Sequence, residues 1–284
     1  MSFTTHIKRL IYPLYILPKI TSRNKKKIQD LYVRFSNKNQ PTLIDTNFNL
    51  RLFSSLEEDG IILQIIAALN IKQGYFLDIG SNDCINSNCA NLVFNLNWSG
   101  VFIDANQHLL NIGKRNYNFF KKNKDLKFVN SMLYPHNINQ IIKANATTLD
   151  IDFMNIDIDG NDYAIWEAIE IVNPKVVLIE NKIEYGKFDI VVPVSEQFLP
   201  NQWGASIVSV TNLANQKGYT LIATNKQGFN AFYVRNDLFI KHNFKELLLA
   251  QVFASAQINS CFYGNTIMQH LLAQIKLIKK PQTF

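Results

Sequence analysis

The chain has 284 residues, of which 47% are hydrophobic and 18% charged; this composition excludes a disordered protein and allows one large or two small domains. The formal net charge of +7 is localised, because residues 1–40 hold nine lysines and arginines against one acid and the remaining chain is close to neutral. Three cysteines without a Cys-x-x-Cys spacing exclude a disulfide framework and a zinc knuckle, so we expect a reducing, cytoplasmic location.

Residues 1–54 form the first predicted unit, a basic N-terminal extension. Its apolar run at 6–20 is too short to span a bilayer and is interrupted by Pro13 and Pro18. No small-residue cleavage site follows this run, which disfavours a secretory signal peptide. The simpler interpretation is a helical extension packed on the domain. The alternative is a peripheral contact with an anionic membrane at its inner face, because aromatic and basic residues lie side by side here.

Residues 55–240 alternate between short apolar runs, typical of buried strands, and segments with helical spacing. The predicted strands are 75–80, 100–104, 126–130, 153–157, 175–180, 219–223 and 230–235. The predicted helices are 55–70, 90–97, 109–122, 163–171 and 206–217. Apolar strands separated by helices indicate a parallel sheet covered on both faces, so the sequence predicts a doubly wound α/β domain.

Residues 241–284 form the third predicted unit, which is helical. Apolar positions recur at intervals of three and four over 244–257 and again over 266–280. We expect these helices to pack on the domain or on a partner subunit, and a homo-oligomer is left open.

Acidic residues collect at the ends of four predicted strands. They are Asp78, Asp104, the group Asp157, Asp159 and Asp162, and Glu180. In an open parallel sheet, ligands bind at the carboxyl ends of the strands, where loops and helix N-termini converge. Because burial of unpaired carboxylates costs several kcal/mol, we interpret this edge of the sheet as a ligand site.

The first two strand ends indicate the kind of ligand. A carboxylate at the position of Asp104 suits the hydroxyl pair of a ribose. The loop at 80–83 lacks the GxGxxG spacing of a pyrophosphate cradle, and its acidity favours a cationic ligand. A ligand that combines a ribose with a positive charge and lacks a pyrophosphate fits S-adenosylmethionine better than NAD. The alternative is that Asp78 and Asp83 cap the following helix.

Four segments carry a resemblance to a known family. They are FLDIGSND at 76–83, NWSGVFIDAN at 97–106, FMNIDIDGNDYAIWEAI at 153–169 and PKVVLIENK at 174–182. Over roughly residues 55–240 the chain resembles the FkbM-like group of class I S-adenosylmethionine-dependent methyltransferases, although its first loop lacks the second glycine of the usual pattern. The resemblance implies a Rossmann-like sheet of about seven strands. It also implies methyl transfer to oxygen, with a sugar hydroxyl of a polysaccharide, glycolipid or nucleotide-sugar as the expected acceptor.

The resemblance also implies roles for individual residues. The expected cofactor-binding residues are Asp78, Gly80, Ser81 and Asp83 around the methionine part, Asp104 at the ribose, and Asn130 and Ser131 beside the adenine. Asp157 and Asp162 are the expected catalytic residues. Asp159 and Glu180 are candidate Mg²⁺ ligands that would lower the pKa of the acceptor hydroxyl. The rival interpretation is that Asp159 and Asp162 cap the helix that follows them.

Two other functions remain open on the sequence. The acidic cluster would also serve a metal-dependent hydrolase, and the missing glycine would suit a non-catalytic binding module. Nucleic acid is disfavoured as a partner because the body has no basic face with interleaved aromatic residues. His108 and His136 are alternative bases, and Trp203, in the long loop 183–205, is a candidate surface for stacking on an acceptor sugar.

Overall fold

The structure is a computed structural model that describes residues 13–37, 42–120, 125–195 and 202–255. Its centre is a seven-stranded sheet with the strand order β3-β2-β1-β4-β5-β9-β8. The strands are β1 Tyr75–Ile79, β2 Ser99–Asp104, β3 Leu126–Asn130, β4 Phe153–Ile156, β5 Val176–Glu180, β8 Tyr219–Thr224 and β9 Asn230–Arg235. The seven predicted strands and the Rossmann-like α/β sheet are confirmed. A separate two-stranded ribbon, β6 Val191–Val192 and β7 Gly204–Ala205, was not predicted.

One strand departs from the predicted parallel arrangement. Strands β1 to β5 pair in parallel, whereas β9 runs antiparallel to both β5 and β8. The prediction of a wholly parallel sheet was therefore wrong at this edge. The physical reason is the short connection at 225–229, because a parallel crossover needs about a dozen residues and a hairpin needs only a few.

Helices cover both faces of the sheet, as the doubly wound prediction requires. Side chains of α1 Ser22–Ser36, α2 Glu58–Ala68, α3 Ala90–Leu96 and α4 Gln107–Phe120 enter the core on one face. Those of α5 Ile138–Asn145, α6 Asp162–Ala168 and α7 Ile207–Gln216 enter the core on the other. Helix α5 was not predicted. No helix in the described part of the chain is both long enough and apolar enough to cross a bilayer.

The terminal segments pack on this domain. In α1, Ile28, Tyr32 and Phe35 are at most 7% exposed and join the core formed with α2 and α3. At the other end, α8 Asn236–Lys241 and α9 Leu249–Ser255 follow the last strand. Val252 of α9 is fully buried. The helix predicted at 244–257 is present as the shorter α9, and the helix predicted at 266–280 lies outside the described residues.

Candidate functional site

A cavity of about 520 Å³ opens at the carboxyl ends of β1, β2, β3 and β4. Its lining residues are Ser55, Gly80, Asn82, Asn86, Ile103, Asp104, Ala105, Ser131, Met132, Leu133, Asp157, Ile158, Asp159 and Asn161. This volume lies within the range of ligand sites for drug-sized molecules. Three of the lining residues are acids, and no lysine or arginine is among them. The cavity therefore favours a cationic ligand and disfavours a pyrophosphate.

Asp104 ends β2 and lines the cavity, as the sequence predicts. Its Oδ2 accepts the backbone N–H of Asn82 at 2.7 Å, and its Oδ1 accepts that of Asn106 at 2.7 Å. These two bonds fix the orientation of the carboxylate. Since an ionised carboxylate has about four acceptor positions, each oxygen retains one for a ligand hydroxyl.

The loop after β1 takes its shape from two left-handed residues. Gly80 has φ 85° and lies so close to the loop after β4 that a Cβ on it would overlap the carbonyl oxygen of Asp157. Asn82 has φ 50°, a conformation that glycine adopts freely and asparagine adopts more readily than most residues. Asn82 thus supplies the turn without the second glycine, and it presents its N–H to Asp104.

Four predicted cofactor residues do not line the cavity. Asp78 is fully buried and accepts hydrogen bonds from Ser87 Oγ at 2.5 Å and Asn155 Nδ2 at 2.8 Å. Its expected contact with the methionine part is corrected, since none of its surface is exposed. The other three are Ser81, Asp83 and Asn130. Ser81 is 2% exposed, and Asp83 Oδ1 accepts the N–H groups of Ile85 and Asn86. The side-chain amide of Asn130 donates to the carbonyls of Asp104 and Ala105.

These three side chains support the cavity wall instead. The alternative that Asp78 and Asp83 cap the following helix is wrong, because α3 begins at Ala90 without a side-chain cap, whereas Asp83 binds the loop at 85–86. Ser131 does line the cavity, beside Met132 and Leu133. Met132 is 58% exposed, so an apolar surface is available next to Ser131 for a flat ring. No sequence signal points to Met132, because a methionine after a strand resembles an ordinary loop residue.

Three carboxyl groups meet at the ends of β4 and β5. Ligand atoms of Asp157, Asp162 and Glu180 lie within 4.8 Å of one another. Burial, followed by the charge of Glu180, raises the pKa of Asp162 to about 7. Burial likewise raises the pKa of Asp157 well above its usual range, with Glu180 and Asp162 as the nearest like charges. Asp162, with a pKa of about 7, holds or releases a proton near neutral pH.

Each member of this cluster has a different environment. Asp162 accepts the N–H of Ile158 at 2.8 Å and that of Gly160 at 2.9 Å, so it holds the turn before α6. The rival interpretation of a helix cap is wrong, because Asp162 is the first residue of α6 and the helix has no side-chain cap. Glu180 Oε1 accepts from Lys182 Nζ at 2.9 Å, whereas Glu180 Oε2 is buried without a hydrogen-bond partner in the described residues. Asp157 lines the cavity and Asp162 does not. Of the two expected catalytic residues, Asp157 alone faces the ligand space.

The expected pairing of Asp159 with Glu180 as metal ligands is revised. Asp159 is exposed, with φ 56°, and it lines the cavity without joining the cluster of three carboxyl groups. The left-handed backbone and the exposure of Asp159 belong to the turn that Asp162 holds. A single ion at this edge would instead contact Asp157, Asp162 and Glu180.

Trp203 lies beside the turn that contains Asp159 and Gly160. A Cβ on Gly160 would lie 2.7 Å from the Cβ of Trp203, so Trp203 packs directly over this glycine. Neither predicted alternative base lines the cavity, and the ring of His136 stacks on Tyr134 with centroids 5.3 Å apart.

The sequence interpretation missed several lining residues. They are Ser55, Asn82, Asn86, Ile103, Ala105, Met132, Leu133, Ile158 and Asn161. Most of them directly follow or flank the acids that were singled out, so the strand-end rule could have included them. Ser55 lies before α2, far in sequence from the strand ends, and only the folded chain brings it to the cavity.

No protein-family model matches this sequence, and no curated protein matches it. The fold is similar to solved structures. The O-methyltransferase from Bacillus cereus in complex with S-adenosylhomocysteine is 15% identical, with a TM-score of 0.43, 75% of this chain covered and 90% of that one. M. capricolum TrmK, also in complex with S-adenosylhomocysteine, is 15% identical, with a TM-score of 0.40 and coverages of 75% and 83%.

A third similar structure is a SAM-dependent methyltransferase from Aquifex aeolicus. It is 13% identical to this chain, with a TM-score of 0.36, and the match covers 74% of this chain and 97% of that chain. At these identities the similarity concerns the fold alone.

Proposed function

We propose that the chain is an S-adenosylmethionine-dependent O-methyltransferase whose cofactor occupies the cavity at the carboxyl ends of β1 to β4. The observation that carries this proposal is the acidic cavity with Asp104 fixed at the end of β2. The ribose of the cofactor suits Asp104, and its sulfonium suits a cavity with three acids and no basic side chain among its lining residues. When bound, the cofactor supplies an electrophilic methyl group.

The residues of the chain have distinct roles in this proposal. Asp104 accepts the two ribose hydroxyls, and Met132 and Leu133 give the adenine an apolar surface. Asp157 accepts the proton of the acceptor hydroxyl in this proposal, because it alone of the three clustered carboxyl groups lines the cavity, and burial raises its pKa above the usual range. Asp162 and Glu180 maintain that raised pKa, and Asp162 also holds the backbone of the turn.

A sugar hydroxyl is the acceptor that we propose, on a polysaccharide, glycolipid or nucleotide-sugar. Trp203, packed over Gly160 beside the carboxyl cluster, offers an aromatic surface of the kind on which sugar rings stack. Carboxylates around it suit the hydrogen-bonding hydroxyls of a sugar. The resemblance to the FkbM-like group points to the same acceptor class.

A divalent cation such as Mg²⁺ fits the same cluster. Carboxylate oxygens are its preferred ligands, and Glu180 Oε2 is a buried acceptor that lacks a partner in the described residues. Asp157, Asp162 and Glu180 would hold the ion, which would supply a Lewis acid near the acceptor oxygen.

The experiment is calorimetric titration with S-adenosylmethionine and S-adenosylhomocysteine, each with and without Mg²⁺. Asp104→Ala should weaken binding by more than about 100-fold, because it removes two hydrogen bonds to a charged group worth about 1.5–3 kcal/mol each. Asp150→Ala is the matched control, since Asp150 is 76% exposed and precedes β4 at the opposite edge of the sheet. This variant should bind as the wild type does.

The outcomes separate the three candidate functions. Cofactor binding that is lost in Asp104→Ala supports the methyltransferase. No binding under any condition contradicts it and favours a binding module. Mg²⁺-dependent hydrolysis of a phosphate or glycoside substrate without cofactor binding favours the metal-dependent hydrolase.

A further inference from the structure

Helix α1 carries a segregated basic face. Arg23, Lys26, Lys27 and Arg34 recur at intervals of three, four and seven residues, and all four are exposed. With Asp30 and Leu31 they line a shallow groove of about 450 Å³ on the protein surface. Residues at this spacing share one side of a helix. Four positive charges and one negative charge therefore face solvent together.

The opposite side of α1 is anchored in the domain. Ile28, Tyr32 and Phe35 are 1%, 5% and 7% exposed and belong to the core shared with α2 and α3. The helix begins at a cap in which Thr21 Oγ1 accepts the N–H of Asn24 at 3.1 Å. This anchoring fixes the direction of the basic face. None of its four cations forms a salt bridge with another residue that the structure describes.

Apolar side chains lie exposed just before the helix. Leu14 is 70% exposed and Leu17 is 50% exposed. Between them, Tyr15 donates a 2.8 Å hydrogen bond to Asn86, and the ammonium of Lys19 lies 3.3 Å from the centre of its ring. The segment that presents the leucines is thereby tied to the domain, and Asn86 also lines the cavity.

We propose that this face, with Leu14 and Leu17, docks the protein on an anionic lipid bilayer. The carrying argument is charge complementarity: a cationic stripe beside exposed leucines matches the negative headgroups and the apolar layer beneath them. The charge is also segregated, because residues 1–40 are strongly basic while the remaining chain is close to neutral. The proposal concerns location and goes beyond the proposed methyl transfer.

The same face fits nucleic acid less well. Its groove is lined by Arg23, Lys26, Lys27, Asp30, Leu31 and Arg34, which include no aromatic side chain on which a base could stack. Single-stranded nucleic acid sites combine positive charge with such aromatic platforms. The exposed leucines also have no role in binding phosphates.

The test is co-sedimentation of the full chain with phosphatidylcholine vesicles that contain or lack phosphatidylglycerol. We expect binding only to the anionic vesicles, and weaker binding as salt is added. Each basic residue near an anionic surface strengthens binding about fivefold, so the double variant Lys26→Gln/Lys27→Gln should bind about 25-fold more weakly. Leu14→Ser should remove binding that persists at high salt.

The control is Lys114→Gln/Arg115→Gln, which removes the same charge from exposed positions on α4. It should bind vesicles as the wild type does. Equal losses in both double variants would overturn the proposal, because binding would then follow net charge alone. Absence of sedimentation with anionic vesicles at low salt would also overturn it, as would binding to single-stranded RNA without binding to vesicles.

Discussion

Asp78 shows, for a single residue, that a sequence motif locates an acid at a strand end without showing whether it contacts a ligand. The sequence singled it out as a ligand contact, yet its carboxyl group is fully buried between Ser87 and Asn155. Asp104, which ends the neighbouring strand two residues beyond Phe102, the partner of Asp78, was predicted correctly as a lining residue. The strand-end rule locates both acids, but whether a side chain points into the cavity or into the core depends on neighbours distant in sequence.

The buried position of Asp78 predicts a pH effect. Burial raises the pKa of Asp78 from 3.8 to about 6, so the folded state binds its proton more tightly than the unfolded chain does. The free energy of unfolding should therefore fall as pH rises from about 4 to about 6, by about 3 kcal/mol for this group. Asp78→Asn should not show this pH-dependent component, because an asparagine side chain does not titrate. The variant should keep both contacts, since its amide can donate to Ser87 Oγ while its oxygen accepts from Asn155.

The measurement is urea unfolding of wild type and Asp78→Asn across that pH window. Relative to wild type, the variant should gain stability as pH rises and then keep a constant difference. Asp150→Asn, exposed to solvent, is the control and should follow wild type. Parallel curves for wild type and Asp78→Asn would contradict the assignment.

Two glycines with nearly the same positive φ should respond differently to substitution by alanine. Gly80 has φ 85° and Gly218 has φ 82°, but only a side chain at Gly80 would overlap the backbone of Asp157. Nothing lies within 4 Å of a Cβ placed on Gly218. Gly218→Ala should lower the free energy of unfolding by about 1 kcal/mol, the conformational cost alone. Gly80→Ala should cost several times more, as measured by urea unfolding; equal losses would exclude close contact of the two loops.

At the scale of elements, the sequence predicted those with strong apolar patterns. Six of the seven strands have a short buried run, β3 at the edge of the sheet has an apolar one that is only partly buried, and the longer helices show clear spacing. Helix α5 was missed although Ile138, Ile141 and Ile142 have helical spacing, because its eight residues between polar asparagines resemble a loop. The ribbon of β6 and β7 has two residues per strand, too few for any periodicity.

The start of α2 and the turn between β8 and β9 are joined by one carboxylate. Glu58 is 1% exposed, and its Oε1 accepts the amides of Asn225 and Asn230, each at 2.9 Å. Its Oε2 accepts the N–H of Leu56 at 2.9 Å. Glu58→Gln should lower the free energy of unfolding by about 1–3 kcal/mol, because one amide N–H must then face another donor.

Thermal or urea unfolding measures this loss. Glu167→Gln is the control, since Glu167 is exposed on α6, and it should be neutral. A neutral Glu58→Gln would mean that the connection between these two elements contributes nothing to stability.

For the whole molecule, the proposed cofactor should act as a stabiliser. A ligand that binds only the folded state at 100 times its Kd adds about 2.7 kcal/mol to the free energy of unfolding. For a domain of this size, each kcal/mol raises Tm by about 2–4 °C, so S-adenosylhomocysteine should raise Tm by roughly 5–10 °C. Asp104→Ala should lose the shift and Asp150→Ala should keep it. A shift that survives in Asp104→Ala would locate the ligand elsewhere.

The left-handed backbone at Asn82 affects how relatives of this chain can be found. A search pattern that demands a second glycine after the first strand would pass over the sequence, although the turn itself is made. Residues 80, 82 and 84 all have positive φ, from 50° to 85°, and only the first is a glycine. A pattern that accepts either glycine or asparagine at the position of Asn82 would also match chains that form this turn with asparagine.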